Sequence, residues 1–361
     1  MKKYIWYTTA LLMVLVLVLS ACSPAPAPTQ APEKPAEQKP AEVAKKQPTD
    51  LKIAIITTTP KEEPCNTVLL QAMERVKAAK PHGLNITYTF QENIATPDGE
   101  RVMRELASSG EYGIIWGHSV YPDAIKNLSA KYPEIAFVGG GSGYEPMGKN
   151  AYWADMYVHE PAYLLGIIAG KMTKSNTIGA VAGFPYPNVN MPIQGYIAGA
   201  KSVNPNIKVK MAYIESWYDP AKAKEAALAQ IAAGADFIYA ERFGPFEACK
   251  EKKVFAFGHY MDQNELAPDT VVSSTMALWD ADINYVIDAW WGFVVDGKPY
   301  SAPTDKSTYF FMKDGGSDIA PFHTFESIVP KDVLDLVEKT RQDIKSGKLE
   351  PKISDAEVKS D

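Results

Sequence analysis

Short apolar runs alternate along the chain with segments whose apolar residues recur at helical spacing. Ile53, Ala54, Ile55 and Ile56 form the first run, and so short a continuous apolar stretch suits a strand in a sheet covered on both faces. "TVLLQAMERVKAA" then puts Leu69, Met73 and Val76 on one helical stripe. "NITYTF" (85–90) alternates like a strand, "RVMRELASSG" predicts a helix closed by Gly110, and "GIIWG" (113–117) predicts a third strand. A helix over "DAIKNLSAKYP" and a fourth strand over "IAFVGG" (135–140) follow. Near residue 160 the rhythm restarts with "PAYLLGIIAGKM" as helix, "TIGAVAG" as strand, "IQGYIAGAKSV" as helix and "VKMAYI" as strand. "DPAKAKEAALAQIAAGA" reads as a helix with Asp219 at its N-cap and Pro220 in its first turn. "DFIYA", a short helix through Cys249 and "KVFAFG" (253–258) complete this half, and 270–297 adds another strand and a long helix.

Units of strand and helix in this order predict α/β architecture, with parallel sheets carrying helices on both faces. The irregular aromatic stretch "NAYWADMYVHEP" near 150–160 divides the pattern into two doubly wound lobes. The late strand and helix imply that the chain crosses between lobes more than once. The expected division is 51–157 plus about 276–300 for lobe one, 158–275 plus about 301–350 for lobe two, and a polar tail over 351–361. Ligands of such sheets lie beyond the carboxyl ends of the strands, so facing lobes would share one cleft.

The first residues change the picture of where this body works. Lys2 and Lys3 precede a short apolar run over Ala10–Leu19, and "LSAC" (19–22) ends it: a secretory signal over 1–22. A cysteine after small residues resembles the bacterial lipobox, which makes Cys22 the expected lipid attachment point. Residues 23–50 are dominated by Pro, Ala, Gln, Glu and Lys, the composition of a disordered tether. No later stretch reaches the roughly 18 uninterrupted apolar residues of a membrane span. The expected location is therefore the extracytoplasmic face of a cell membrane. Net charge is −6 with no basic run, which excludes a nucleic-acid partner. Cys65 and Cys249 are the remaining cysteines, too few for a disulfide framework and expected to be free thiols.

No catalytic array stands out. "GGGSG" (139–143) lacks the lysine and spacing of a phosphate loop and reads as a strand-end turn. The five histidines show no zinc spacing, and "MKDGGSD" (312–318) lacks the acids of a calcium loop and reads as a hairpin. Glu62 and Glu63 lie in the loop after the first strand, where a solvated turn and ligand hydrogen bonding by Glu62 both remain open. His118 and His259 each follow a strand. Aromatic and amide groups accumulate at strand ends: Trp116, Phe184, Tyr186 with Asn188, Trp217 with Tyr218, Arg242 with Phe243, and Tyr260 with Asp262. Together they predict an apolar, ring-bearing cleft with a few fixed polar groups, a binding site without a nucleophile–base pair.

The stretches "ENIATPDGERVMRELASSGEYGIIWG" (92–117), "GIIAGKMTKSNTIGAVAGFPYPNV" (166–189), "GYIAGAKSVNPNIKVKMAYIESWYDPAKAKEAA" (195–227) and "FGHYMDQ" (257–263) resemble the basic membrane protein family. These are substrate-binding lipoproteins of ABC transporters, whose better known members bind purine nucleosides or bases. The resemblance implies a type I periplasmic-binding-protein fold, three crossings between lobes, hinge closure on a small solute, an ABC permease as partner, a monomer, no cofactor and no enzymatic activity. The family's first-loop motif, acid-x-x-aromatic-Asn, falls on Glu62, Cys65 and Asn66, with cysteine in place of the stacking ring. Its later Gly-x-Asp-x-Asp-Gln falls on Gly258, Tyr260, Asp262 and Gln263, with tyrosine in place of the first acid. The lysine that nucleoside binders carry after the next strand is absent, Ala277 and Trp279 lying there, and these departures resemble the base-binding side of the family. The candidate ligand residues are thus Thr58, Glu62, Asn66, Trp116, His118, Phe184, Tyr186, Trp217, Arg242, Tyr260 and Asp262. A sensing or surface-interaction role on the same fold, and a non-purine or anionic solute, remain the alternatives.

Overall fold

Successive residues of a strand face opposite sides of its sheet, so a strand apolar at every position must be covered twice. The computed structural model, which describes residues 47–118, 121–140, 146–306, 308 and 310–361, shows this in its first strand. In β1 (Asp50–Thr57), Leu51, Ile53 and Ile55 enter one core while Ala54 and Ile56 enter the core on the other face. Each fully buried Leu or Ile among them contributes on the order of 1.5–3 kcal/mol. The expected signal, nearly all of the tether, and lipidated Cys22 lie outside the described residues.

The first lobe continues through α1 (Pro64–Ala79), β2 (Asn85–Gln91), α2 (Thr96–Ser108), β3 (Ile114–His118), α3 (Pro122–Ser129), β4 (Ala136–Gly139) and β5 (Ala151–Trp153). Its five strands are all parallel, in the order β2-β1-β3-β4-β5. The second lobe follows as α4 (His159–Met172), β6 (Thr177–Ala182), α5 (Pro187–Val203), β7 (Lys208–Tyr213), α6 (Pro220–Ala232), β8 (Phe237–Ala240), α7 (Pro245–Lys252), β9 (Phe255–Gly258) and β10 (Val271–Ala277). The chain then returns to the first lobe as α8 (Asp280–Val294), whose Ile283, Val286, Ile287 and Trp290 pack into the same core as α1. It ends in the second lobe with β11 (Ser317–Ile319) and α9 (Lys331–Lys345). The second sheet runs β11-β10-β9-β8-β6-β7, parallel except for β11.

Among the described residues the chain passes between the lobes at three places: after β5, after β10 and between α8 and β11. The first and third crossings lie side by side, through a bridge between Ala154 and Thr308 and a hydrogen bond from Asp155 N–H to Thr308 O at 3.2 Å. Helices α4 and α5 pack at unusually short range, because Gly166, Gly170, Gly195 and Gly199 each lie against backbone of the opposite helix. Asp219 accepts from Lys222 N–H at 3.0 Å and caps α6, with Pro220 in the first turn as its sequence predicts.

Two local expectations are corrected. Helix α1 starts at Pro64, ahead of the stretch from Thr67 whose stripe predicts it: proline fits the first helical position, and the Glu63 carboxylate caps the end by accepting from Cys65 and Asn66 N–H. The segment 312–318 is not a hairpin but a single 3-10 turn (Met312–Asp314) leading into β11, whose antiparallel partner β10 lies far back in the chain. The last residues run beside β7: Asp361 N–H donates to Val209 O, Val209 N–H donates to Asp361 Oδ2, and Met211 N–H donates to Ser360 Oγ.

Candidate functional site

The carboxyl ends of β1, β3, β6, β8 and β9 face one another across the lobes and enclose two small adjoining cavities, of about 90 and about 60 Å³. Of the residues expected at the ligand, Thr58, Asn66, His118, Trp217, Arg242 and Tyr260 border the larger one. The other five do not border either. Glu62 is exposed and turns to an outer pocket beside Tyr218 and Phe243. Trp116 is buried behind the site, edge-on to Trp279 at 5.8 Å. Tyr186 stacks on both Phe184 and Trp217 on the outer rim, where it is 47% exposed, and Phe184 is tilted against Trp217. Asp262 pairs with His323 at 2.7 Å and holds Asn264 N–H.

Arg242 is the cation between the lobes. Its Nε donates to Glu241 Oε2 at 2.8 Å, Nη2 to Glu241 Oε1, and Nη1 to Glu63 Oε1 at 3.2 Å and Trp217 O at 3.0 Å. The guanidinium also lies over the Trp217 ring, 5.4 Å from its centroid. Burial opposes its charge, but Glu241 and Glu63 outweigh burial and hold the guanidinium protonated. Glu63 is pushed up by burial, against Arg242 and the two amides it caps. Because Glu63 stands on the first lobe and Arg242 on the second, the pair is a contact between lobes. Sequence reasoning chose Glu62 instead. The dipeptide Glu63-Pro64 held the missing signal, since a proline at the first helical position makes the residue before it the cap.

Cys65 occupies the position where the family motif carries a ring. Its Sγ lies 3.1 Å from His118 Nε2. Burial lifts the thiol well above its usual range and lowers the imidazole to about 4. Both partners are neutral near pH 7, which is the reverse of the thiolate–imidazolium pair of a nucleophilic cysteine. Cys65 and Cys249 are both free thiols. The Asn66 amide donates to Thr59 Oγ1, Thr59 O and Pro60 O, so it shapes the loop rather than presenting itself to a ligand. Tyr260 stacks on His259 at 3.9 Å, and His259 in turn meets the Tyr239 hydroxyl at 2.6 Å. Burial raises the Tyr260 phenol well above its ordinary value, so it stays neutral.

Asp155 and Trp279, neither among the residues expected at the ligand, border the smaller cavity with Cys65, His118 and Tyr260. Burial raises the Asp155 carboxyl to about 7, against the Met156 amide and the Tyr157 phenol. Oδ1 accepts from Met156 N–H at 2.8 Å, whereas Oδ2 has no hydrogen-bond partner among the described residues.

Two facing α/β lobes with three crossings and an aromatic, desolvated cleft at the strand ends define a solute-binding protein of the type I periplasmic-binding-protein fold. An ABC transporter solute-binding protein from Conexibacter woesei shares this fold, with a TM-score of 0.66 at 21% identity over 84% of this chain and 98% of that one. The chain matches the Bmp family, described as ABC transporter substrate-binding protein PnrA-like, over residues 54–292. A purine-binding protein of Brucella abortus is 33% identical over 276 residues, 74% of each chain. A nucleoside-binding ABC transporter protein of Lactococcus lactis is 29% identical over 283 residues, 73% of this chain and 74% of its own. The chain belongs to the basic membrane protein family of ABC transporter substrate-binding proteins. Proteins of this family act outside the cytoplasm, bind small ligands and work with a permease, a binding role rather than a catalytic one. No helix among the described residues is long and apolar enough to cross a membrane.

Proposed function

We propose that this protein captures a purine base, nucleoside or related heterocycle outside the cytoplasm and delivers it to an ABC importer, held at the membrane by a lipid on Cys22. One observation carries the ligand class: Arg242 is the only cationic side chain among the described residues bordering the cavities, and two carboxylates already engage it. An anionic solute would meet uncompensated acid in a desolvated space, which costs several kcal/mol. A neutral ring system meets Trp217, Tyr260 and Trp279 instead, and aromatic faces with few polar groups are what a heterocycle requires. The names of the relatives from Brucella abortus and Lactococcus lactis agree with this reading.

In this reading the lobes, 51–157 with about 276–300 and 158–275 with about 301–350, close on the ligand as a monomer tethered by residues 23–50. Calorimetry with adenine, guanine, hypoxanthine, adenosine and inosine is expected to give saturable heat with at least one of them. Absence of heat with all five overturns the ligand class. Mass spectrometry of the native N-terminus is expected to find an acylated Cys22, and an unmodified mature terminus at another residue would refute the anchor.

A further inference from the structure

We propose that Asp155 and Trp279, which stand on two different crossings between the lobes, read the polar edge of the ligand. Asp155 Oδ2 accepts an N–H of the heterocycle, and the Trp279 indole N–H donates to an adjacent ring nitrogen or carbonyl. The assignment rests on the heterocycle reading above and narrows it to ligands that present a donor beside an acceptor.

The argument begins from unmet hydrogen-bonding capacity. Buried polar groups are nearly always paired, and an orphan costs roughly 1–3 kcal/mol, so each orphan calls for an explanation. Asp155 is 4% exposed and Trp279 3% exposed, and both Asp155 Oδ2 and Trp279 Nε1 lack a partner among the described residues. They border the same cavity of about 60 Å³. Other polar groups of the cleft are already engaged: the Asn66 amide by the Thr59 and Pro60 carbonyls, His118 by Cys65, and Arg242 by Glu241 and Glu63. Both cavities fall far below the roughly 300 Å³ at which drug-sized pockets begin, so the cleft in this conformation admits a small, flat occupant. A ligand satisfying both orphans recovers their desolvation penalty, and an analogue lacking either group leaves it outstanding. That asymmetry is the strongest source of small-molecule discrimination.

Position adds a second argument. Asp155 lies between β5 and α4 and Trp279 between β10 and α8, so a ligand bridging them ties together two of the segments about which the lobes move. The titratable groups facing Asp155 are Cys65 on α1, His118 on β3, Tyr260 after β9, Asp282 on α8 and neighbouring Tyr157. None of them is a cation near neutrality: the thiol and phenol stay protonated, His118 is neutral, and burial holds Asp282 far above the carboxylate range. An N–H donor therefore supplies what the ionised carboxyl lacks. Binding shifts Asp155 toward the carboxylate, and affinity rises with pH through about 7.

The test is calorimetry on the full chain with adenine and hypoxanthine and with analogues of each in which one N–H at a time is N-methylated, for wild type, Asp155→Asn and Trp279→Phe. For the base that binds, blocking one particular N–H is expected to weaken wild type roughly 10- to 100-fold, the range of a charge-assisted bond. The same block should cost Asp155→Asn only a few-fold, a coupling that a merely structural residue would not show. Trp279→Phe is expected to lose roughly fivefold for the parent base. Between about pH 6 and 8 wild-type affinity should rise while that of Asp155→Asn stays flat. Equal methylation patterns in wild type and Asp155→Asn overturn the assignment but leave the ligand class standing. If wild type binds neither base, the assignment falls together with the purine reading. Should Asp155→Asn fail to fold, the wild-type series decides: indifference to every N–H together with a flat pH profile overturns it.

Discussion

Arg242→Met is expected to lower the stability of the protein by about 3–5 kcal/mol, the cost of breaking a buried charge network from one side. The reason lies in what remains. Glu241 and Glu63 stand at 2% and 7% side-chain exposure; without the guanidinium Glu63 has no ion-pair partner among the described residues, and Glu241 has only the His259 imidazole, 3.8 Å away and held neutral chiefly by burial. Methionine fills most of the volume, so lost packing contributes little. The deficit should depend on pH in a defined direction. Burial already raises Glu63, and loss of Arg242 raises it further, so acid conditions let the orphaned carboxyls take protons. Urea unfolding at pH 5 and pH 8 should therefore show the larger deficit at pH 8. Glu63→Gln keeps one acceptor oxygen, for the α1 cap or for Nη1 but not both, because its NH2 only donates, and should lose about 1–3 kcal/mol. If Arg242→Met unfolds at the wild-type midpoint at both pH values, the network does not hold the lobes.

Gly199→Ala should be the most damaging single methyl in the second lobe. A Cβ at 199 would fall inside contact distance of the Tyr163 carbonyl, and Gly166 faces the Tyr196 carbonyl in the same way from the opposite helix. The obstacle is backbone, which cannot swing aside as a side chain can, so α4 and α5 would have to separate. Overpacking of this kind costs about 1–3 kcal/mol, and the upper end applies because four glycines share the contact. Helix α4 begins at His159, only a few residues beyond Asp155, so its displacement should also weaken the ligand. A thermal midpoint several degrees lower together with reduced affinity is the expected pair of results. An unchanged midpoint would show that the helices have slack that the contact distances deny. A lower midpoint at full affinity would separate helix packing from the site.

How much of this was legible in the chain follows from how local each signal is. Strands such as 53–56 and 113–117 announce themselves because burial on both faces demands unbroken apolar runs, and Asp219-Pro220 announces its helix because cap and proline are adjacent. The restart of the pattern near 160 and the return of 280–294 were readable for the same reason. Of the cavity lining, Trp217 and Tyr260 were legible because strand ends gather aromatic groups. Arg242 was legible only as a polar group at a strand end; its pairing with Glu63, 179 residues away in the chain, exists only in the fold. Asp155 sits in a stretch with neither period, and its interest lies in one carboxyl oxygen without a partner among the described residues, a property that exists only once everything around it is in place. Glu62 was favoured over Glu63 by alignment to a motif, whereas proline geometry selects its neighbour.

The final residues of the chain have a bearing on solubility as well as on fold. Strand β7 is the outermost strand of its sheet, and a bare rim of backbone amides is a template for pairing with another molecule. Ser360 and Asp361 occupy the amides of Met211 and Val209 that would otherwise face outward, using side-chain oxygens rather than an added strand. These contacts satisfy part of the rim without extending the sheet, and Lys210 Nζ, donating to Asp361 O at 2.9 Å, fastens the same segment to β7.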